Sequence, residues 1–251
     1  YDLQHLLADR YRPIKRNSMP VQPHQESHTI KINGGLFKMG YSGKQFCYDV
    51  EMPEHNVYLN DYKIDAWPIT NKQYMKFVDD GSYDDFKYWL SDGWDKIQNE
   101  KWNAPMYWEK IDDEWTTCDF LGKRKINPNE PVCHVSYYEA DAYCKWVGKR
   151  LPTEAEWEKA ACWDEKNQRK TIFPWGNESA DTVHANLLES YVWNCSEIGA
   201  YPNGKSHYGC HQMIGDVWEW TSTEFSGYPG FKTGFSEYND KWFANQKVLR
   251  G

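Results

Sequence analysis

The feature that most constrains the fold of this chain is its abundance of large aromatic side chains. The 251 residues include 14 Trp and 18 Tyr, far more than a helical bundle of this size needs. Such rings fill a core that few regular elements supply, so the composition predicts a domain with much irregular structure. The length allows one large domain or two small ones and does not choose between them.

Three helix starts are marked by a hydroxyl residue followed three positions later by an acid or an amide. These pairs are Thr70 with Gln73, Ser136 with Glu139, and Thr153 with Glu156. In such a capping box, the hydroxyl and the later side chain each bond a free backbone N–H group. Gly81 and Gly148 follow the first two segments and provide helix stops. The pattern predicts three short helices.

Alternating apolar residues at positions 28–32 and 57–64 predict short strands. Residues 82–131 form a long aromatic insert, which we expect to be a loop that caps a site or covers part of the core. Beyond residue 162 helical periodicity is absent, and turns such as PWGN (174–177) and YPNGK (201–205) separate short strands. The predicted fold class is α+β, with short helices on a heavily looped, mostly antiparallel core.

The predicted domain organisation has three parts. Residues 1–16 resemble the end of a helix that Pro13 stops, and residues 17–29 have the composition of a linker. Residues 30–251 then form the main domain.

Charge and hydropathy exclude several classes of partner. The net charge is −8, from 29 Lys and Arg against 37 Asp and Glu, and no dense basic patch is present. The sequence therefore argues against nucleic-acid binding. It contains no run of about 18 apolar residues that would span a membrane, and no signal peptide is recognisable at the start. The seven cysteines include no CxxC pair, so reduced thiols in a cytoplasmic protein are expected, with one disulfide left open.

Ordered sequence blocks point to a known family. GGLFKMG, PVCHVSYYEADAYCKWVGKRLPTEAEWEKAA, FPWGN and YGCHQMIGDVWEWT resemble the formylglycine-generating-enzyme or sulfatase-modifying-factor domain, over about residues 30–251. That family has a C-type-lectin-like fold. The insert LSDGWDKIQNEKWNAPMYW and the segment GYPGF…EYNDKWFANQKVLRG are similar to the ergothioneine-pathway sulfoxide synthases, or hercynine oxygenases.

The resemblance implies an iron-dependent oxidoreductase, of which this chain would be the substrate-binding domain. Those enzymes use non-haem Fe(II) and O2 to join the thiol of cysteine or γ-glutamylcysteine to the imidazole of trimethylhistidine, and they oxidise the sulfur. Two alternatives stay open. One is a copper oxidase of the formylglycine-generating type that acts on a sulfatase cysteine, and the other is a non-catalytic C-type-lectin-like binding module. The oligomeric state is not predicted.

In the family, three histidines of an N-terminal helical bundle hold the iron. Here Tyr1 and His5 have the outline of the family's final His-x-x-x-His, with a tyrosine in the first position. Residues one helical turn apart face one metal, so His5 is a candidate iron ligand or an ordinary helix residue. The chain also ends at LRG, where family members continue. We therefore expect a partial sequence or a diverged paralogue.

The resemblance also implies calcium sites around the GDVWEW stretch, which it places in the central core. By motif position the candidate ligands are Gln212, Gly215, Val217 and Glu219, with Asn186 and Leu187 at a second site. Calcium takes six to eight oxygen ligands, and backbone carbonyls are among them. The alternative is that Glu219 caps a turn or pairs with an arginine.

The loop TSTEFSGYPGF corresponds to a family loop whose tyrosines lie near the iron, one of them a proton donor. By the resemblance, Phe225 and Tyr228 take two such positions. Phe225 has no proton to donate, so the donor is Tyr228, the candidate catalytic residue, or a residue elsewhere. Tyr228, Phe231 and Trp242 would suit a trimethylammonium group through cation–π attraction. Phe225, Tyr228, Phe231 and Trp242 are therefore the candidate substrate-binding residues, and the alternative is that these rings fill the core.

Overall fold

A computed structural model describes residue 15 and residues 17–18, 27–119, 122–234 and 239–251. The predicted N-terminal helix, most of the predicted linker and the candidate ligand His5 lie outside the described residues. The described part combines helices with small antiparallel sheets, which confirms the predicted α+β class.

The regular elements are short. The helices are α1 (Asn71–Asp79), α2 (Ser91–Glu100), α3 (Tyr137–Trp146) and α4 (Glu154–Cys162). The strands are β1 (Thr29–Ile32), β2 (Gly35–Met39), β3 (His55–Leu59), β4 (Tyr62–Asp65), β5 (Glu109–Ile111), β6 (Glu114–Asp119), β7 (Gly122–Lys125), β8 (Trp163–Asp164), β9 (Arg169–Lys170), β10 (Glu219–Glu224) and β11 (Lys247–Arg250). They pair antiparallel as β1 with β4, β2 with β3, β5 with β6 and β7, β8 with β9, and β10 with β11.

All three predicted helix starts are confirmed. At α1, Gln73 N donates to Thr70 Oγ1 over 3.3 Å, and Thr70 N donates to Gln73 Oε1 over 2.9 Å. The same reciprocal pair of bonds begins α3 and α4. Gly81 and Gly148 follow α1 and α3 with φ of 71° and 70°, the left-handed conformation that favours glycine at a helix end.

The expectation that residues 82–131 form a loop is wrong, because this insert contains α2 and the sheet β5–β6–β7. The residue before α2 is Leu90, whose side chain makes no capping bond, so the sequence carries no start signal there. The helix is held by packing instead. Gly93 lies so close to Tyr138 that an added Cβ would come within 2.6 Å of the Tyr138 Cβ.

The aromatic residues fill the core, as the composition predicts. The largest cluster lies between α1, α3 and the insert, and its buried rings are Tyr74, Phe77, Tyr83, Trp89 and Tyr143. The rings of Tyr74 and Tyr143 stack with centroids 5.3 Å apart. A second cluster packs α4 against β1, β4 and the segment before β10. No helix in the described ranges is long and apolar enough to cross a membrane.

A buried charge cluster joins the last strand to α4. Arg250 Nη1 lies 2.7 Å from Glu51 Oε1 and 3.5 Å from Glu154 Oε1, and Arg250 Nη2 lies 2.9 Å from Glu158 Oε2. Glu158 Oε1 also accepts hydrogen bonds from the Gly40 backbone N–H and from Lys170 Nζ. The guanidinium therefore ties β11, α4 and the loop before β3 together.

Replacing Arg250 by glutamine should lower the free energy of unfolding by about 3–5 kcal/mol, because carboxylates buried at the cluster lose their cation. Urea unfolding followed by circular dichroism measures the loss. The matched control is Arg169→Gln, since the Arg169 side chain is 62% exposed and lies 3.6 Å from Asp164. Because the Arg169 guanidinium is exposed and its 3.6 Å contact is long, this ion pair should contribute about 1 kcal/mol at most. Equal losses in the two variants would contradict a special role for Arg250.

Candidate functional site

The main cavity of the described residues has a volume of about 1290 Å³ and opens between the insert, residues 130–136 and the GDVWEW stretch. Much of its wall is aromatic. The rings that line it include Trp102, Tyr107, Trp108, Trp193, Trp218 and Trp220. Apolar walls with a few polar groups are typical of small-molecule sites.

The carboxylate of Asp216 holds one side of this cavity together. It accepts hydrogen bonds from Asn186 Nδ2 (2.9 Å), Ser196 N (2.6 Å), Ser196 Oγ (2.7 Å) and Gln212 Nε2 (2.7 Å). These donors come from three separate loop segments without regular secondary structure. Hydrogen bonds to a charged acceptor are stronger than those to a neutral one, so one carboxylate fixes the relative positions of three loops.

Two of the candidate calcium ligands use their side chains in this network. Gln212 Oε1 accepts a hydrogen bond of 2.7 Å from the Gly199 backbone N–H, and Asn186 Oδ1 accepts one of 3.1 Å from Ser190 Oγ. Neither side-chain oxygen is therefore free to bind a cation without losing an existing bond.

Glu219 has a different environment. It is the first residue of β10, and its Oε1 atom is shielded from solvent with no hydrogen-bond partner among the described residues. Burial raises the pKa of Glu219 to about 7. The Trp157 indole N–H favours the charged form, but it makes no bond of good geometry to this oxygen. A shielded carboxylate oxygen without a partner fits a cation ligand.

The alternative prediction, an ion pair between Glu219 and an arginine, is wrong for the neighbouring Arg250. Arg250 is its direct neighbour across the β10–β11 ladder, but the guanidinium binds Glu51 and Glu158 instead.

The predicted calcium residues divide between the cavity and the interior. Asn186, Leu187, Gly215 and Val217 line the cavity, whereas Gln212 and Glu219 are not part of its wall. Gly215 has φ of 111°, and an added Cβ would lie 2.7 Å from the Asn186 carbonyl oxygen. This close approach requires glycine and brings the two candidate segments into contact.

The resemblance places GDVWEW in the central core, and this expectation is wrong for Trp218. Its side chain is 72% exposed at the cavity mouth. Trp220 is half-buried, and its indole N–H donates to the Val135 carbonyl over 3.0 Å. The difference follows from position, because Trp218 precedes β10, whereas Trp220 lies within the strand and pairs with Leu249 of β11.

The candidate catalytic residue Tyr228 lies outside the cavity wall. Only 8% of it is exposed, and its O–H donates to Glu154 Oε1 over 2.8 Å. Its ring contacts His55, with centroids 4.8 Å apart. Burial, together with the nearby carboxylates of Glu154 and Glu158, raises the pKa of Tyr228 strongly.

None of the other candidate substrate-binding rings lines the cavity, and Phe231 N donates to the Tyr228 carbonyl over 2.8 Å. Phe225 and Phe231 both pack edge-on against Phe243, with centroids 4.9 Å and 5.3 Å away. Trp242 beside it is 53% exposed. Sequence reasoning missed Phe243, although its place directly after Trp242 in an aromatic segment was a usable signal.

Sequence reasoning also missed a charged group in the cavity wall. Arg124 donates from Nε to Asp119 Oδ2 over 2.6 Å and from Nη2 to Glu130 Oε2 over 2.8 Å. Burial raises the pKa of Glu130 to about 7, while the Arg124 guanidinium acts in the opposite direction. The residues are brought together by the β6–β7 hairpin, which the sequence pattern did not reveal.

In the part of the chain that the structure describes, no three His, Cys, Asp or Glu side chains converge as a metal site. The described residues therefore do not provide a ligand set for iron. All seven cysteines lie in the described ranges, and none of them forms a disulfide there.

Comparison with known proteins gives matches over most of the chain. Residues 15–251 match the profile of the sulfatase-modifying factor enzyme 1-like domain. A hercynine oxygenase of Mycolicibacterium smegmatis is 37% identical over 250 residues, which cover 95% of this chain and 58% of that protein. A hercynine oxygenase of Mycobacterium tuberculosis is 40% identical over 205 residues, covering 81% of this chain and 48% of that protein.

A formylglycine-generating enzyme of Bos taurus is 32% identical over 226 residues, covering 80% of this chain and 59% of that protein. This chain spans about half the length of the curated relatives that it matches.

Replacing Asp216 by asparagine should lower the free energy of unfolding by about 2–3 kcal/mol, because an amide N–H would then face buried donors. Thermal and urea unfolding measure the change. The matched control is Asp95→Asn on the exposed face of α2, which should change stability by about 0.5 kcal/mol or less. If the Asp216 variant is as stable as the control, the carboxylate does not organise the loops.

Proposed function

Because the chain belongs to the sulfatase-modifying factor enzyme 1-like domain family, we propose that it is the substrate-binding domain of an iron(II)- and O2-dependent sulfoxide synthase. The reaction would join the thiol of cysteine or γ-glutamylcysteine to the imidazole of trimethylhistidine and oxidise the sulfur. One observation carries this choice over the copper oxidase: the chain is more similar to two hercynine oxygenases than to a formylglycine-generating enzyme. Seven cysteines that form no disulfide in the described residues support a cytoplasmic location for the protein.

Two surfaces of the domain suit such substrates. The cavity offers tryptophan rings, which favour a trimethylammonium group through cation–π attraction. The second surface is the aromatic group around Phe243, which includes the candidates Phe225 and Phe231 with the exposed Trp242. We assign substrate contacts to this second surface because it adjoins Tyr228.

Tyr228 is the proposed proton donor. Burial and the neighbouring carboxylates raise the pKa of its phenol, so the hydroxyl carries a proton at neutral pH. Glu154 accepts the O–H and so sets the direction of the hydroxyl. Donation to a substrate would require the O–H to turn away from Glu154.

When bound, iron supplies the activation of O2. Since the described residues do not provide its ligands, we assign them to parts of the protein outside the described ranges, with His5 as the candidate in this chain.

We further propose a structural calcium site built from the Glu219 carboxylate and the carbonyl oxygens of Gly215 and Val217. The unpartnered Oε1 atom of Glu219 supports it. Gln212 would join only by giving up its bond to Gly199. Asn186 and Leu187 would contribute backbone oxygens to a second site, because the Asn186 amide is committed to Asp216.

The whole protein that contains this sequence should form a sulfoxide from trimethylhistidine and cysteine or γ-glutamylcysteine when Fe(II) and O2 are supplied. Liquid chromatography with mass spectrometry detects the product, and an anaerobic sample is the blank. The variant Tyr228→Phe should lower kcat by about 100-fold or more, the usual contribution of a general acid. Phenylalanine keeps the ring packing, so the variant should stay folded.

The control variant is Tyr58→Phe, since Tyr58 is 67% exposed on β3. An unchanged kcat for Tyr228→Phe would show that Tyr228 is not the proton donor. The assignment of the reaction itself would still stand. Conversion of a sulfatase cysteine peptide to formylglycine, without sulfoxide formation, would establish the copper-oxidase alternative. Turnover of neither substrate would favour the non-catalytic binding module.

Calcium should raise the melting temperature of the protein relative to a sample in EDTA. At 100-fold excess over the dissociation constant the gain is about 2.7 kcal/mol, or about 5–10 °C for a domain of this size. Glu219→Gln should abolish the shift, whereas Glu178→Gln, at an exposed position, should retain it. A shift that survives Glu219→Gln would place any calcium elsewhere.

A further inference from the structure

Two cysteines meet where two loop segments run side by side in the cavity wall. Cys133 lies in the segment that leads from β7 to α3, and Cys195 lies in the long loop region before β10. The hydrogen bonds that join these segments are Ile198 N to Asn129 O (3.0 Å), Asn127 Nδ2 to Glu197 Oε1 (2.8 Å) and Asn194 Nδ2 to Glu130 Oε1 (3.5 Å). Both cysteines line the cavity, and neither is fully buried. A small reagent in the cavity can therefore reach both.

The two thiols interact with each other and have unequal surroundings. The neighbouring Cys195 thiol lowers the pKa of Cys133 well below its usual value, His134 and Arg124 act in the same direction, and burial opposes them. Contact with Cys133 raises the pKa of Cys195, as does burial. Cys195 Sγ also lies 3.7 Å from the Asp216 carbonyl oxygen, to which its S–H can donate. One sulfur is therefore nucleophilic, and the other keeps its proton beside it.

Other cysteines of the chain differ from this pair. Burial raises the pKa values of Cys144, Cys162 and Cys210 to about 12, so these thiols stay protonated and inert. Burial also raises the pKa of Cys47, which lies in a loop away from the cavity. A nucleophilic thiol with a second thiol beside it is the arrangement found in redox-sensing pairs.

We propose that Cys133 and Cys195 form a redox-active dithiol in the cavity wall, which hydrogen peroxide converts to a disulfide. In the first step the Cys133 sulfur attacks one peroxide oxygen, the O–O bond breaks, and water leaves after protonation, so Cys133 becomes a sulfenic acid. The Cys195 sulfur then attacks the Cys133 sulfur, the S–O bond breaks, and a second water leaves. In total the two thiols lose two electrons and two protons, and the peroxide is reduced to two molecules of water.

The disulfide would change the cavity as well as the sulfur atoms. It would add a covalent link between the two segments and remove the Cys195 contact with the Asp216 carbonyl, next to the carboxylate that positions three loops. Ligand binding in the cavity would then depend on the redox state. The inference does not rest on the proposed sulfoxide synthase activity.

The test is peptide mapping of the whole protein, first reduced and then treated with one equivalent of hydrogen peroxide. Remaining thiols are blocked with iodoacetamide before digestion and mass spectrometry. We expect a peptide pair linked through Cys133 and Cys195 in the wild type and in the control variant Cys47→Ser. In Cys195→Ser the link cannot form, and Cys133 should instead give an adduct with dimedone, which traps sulfenic acids.

A second measurement needs no variant. In the reduced wild type, iodoacetamide at neutral pH should alkylate Cys133 at least about tenfold faster than Cys144, Cys162 or Cys210. The proposal is overturned if peroxide oxidises Cys47 while Cys133 and Cys195 remain open to alkylation, or if the disulfide that forms joins other cysteines. Circular dichroism of each variant shows whether it is folded, and the wild-type map decides the question even where a variant is not.

Discussion

The buried guanidinium of Arg250 is the contact on which the arrangement of the domain depends. It meets carboxylates from the loop before β3 and from two turns of α4, while it lies on the last strand of the described chain. Through Glu158 the same cluster reaches Gly40 and Lys170, and through Glu154 it reaches the hydroxyl of Tyr228. Small sheets of two or three strands cannot enclose a core by themselves. Here the ion pairs of Arg250 connect a strand, a helix and a loop that do not belong to one sheet.

Those parts of the fold that depend on local chemistry could be predicted from the sequence. Capping boxes act within one turn of helix, so Thr70, Ser136 and Thr153 mark α1, α3 and α4 correctly. The start of α2 could not be found in this way, because the contact between Gly93 and Tyr138 that holds it joins residues far apart in the chain. Trp218 is exposed because it precedes β10 at an open cavity, which a motif alone does not convey.

The candidate site shows the same division between motif and geometry. The resemblance identified Tyr228, Phe225 and Phe231 by position, but only the structure separates them from the cavity and adds Phe243. Hydrogen bonds between two loop segments bring Cys133 and Cys195 together, and the spacing of the cysteines in the sequence does not predict this pair. Metal binding and thiol oxidation depend on side chains that the fold brings together. A sequence pattern can therefore suggest candidate residues but cannot show that they are in contact.

Asp216 has a consequence for how such a domain can change over evolutionary time. Its carboxylate anchors loop segments through Asn186, Ser196 and Gln212. Residues farther along those loops take no part in the anchor, and surface loops tolerate insertions and substitutions better than the elements beneath them. A lineage could therefore exchange loop tips to acquire a new ligand while it inherits the anchor intact. Substitutions at Asp216 and its hydrogen-bond partners should therefore be tolerated less well than substitutions elsewhere in the same loops.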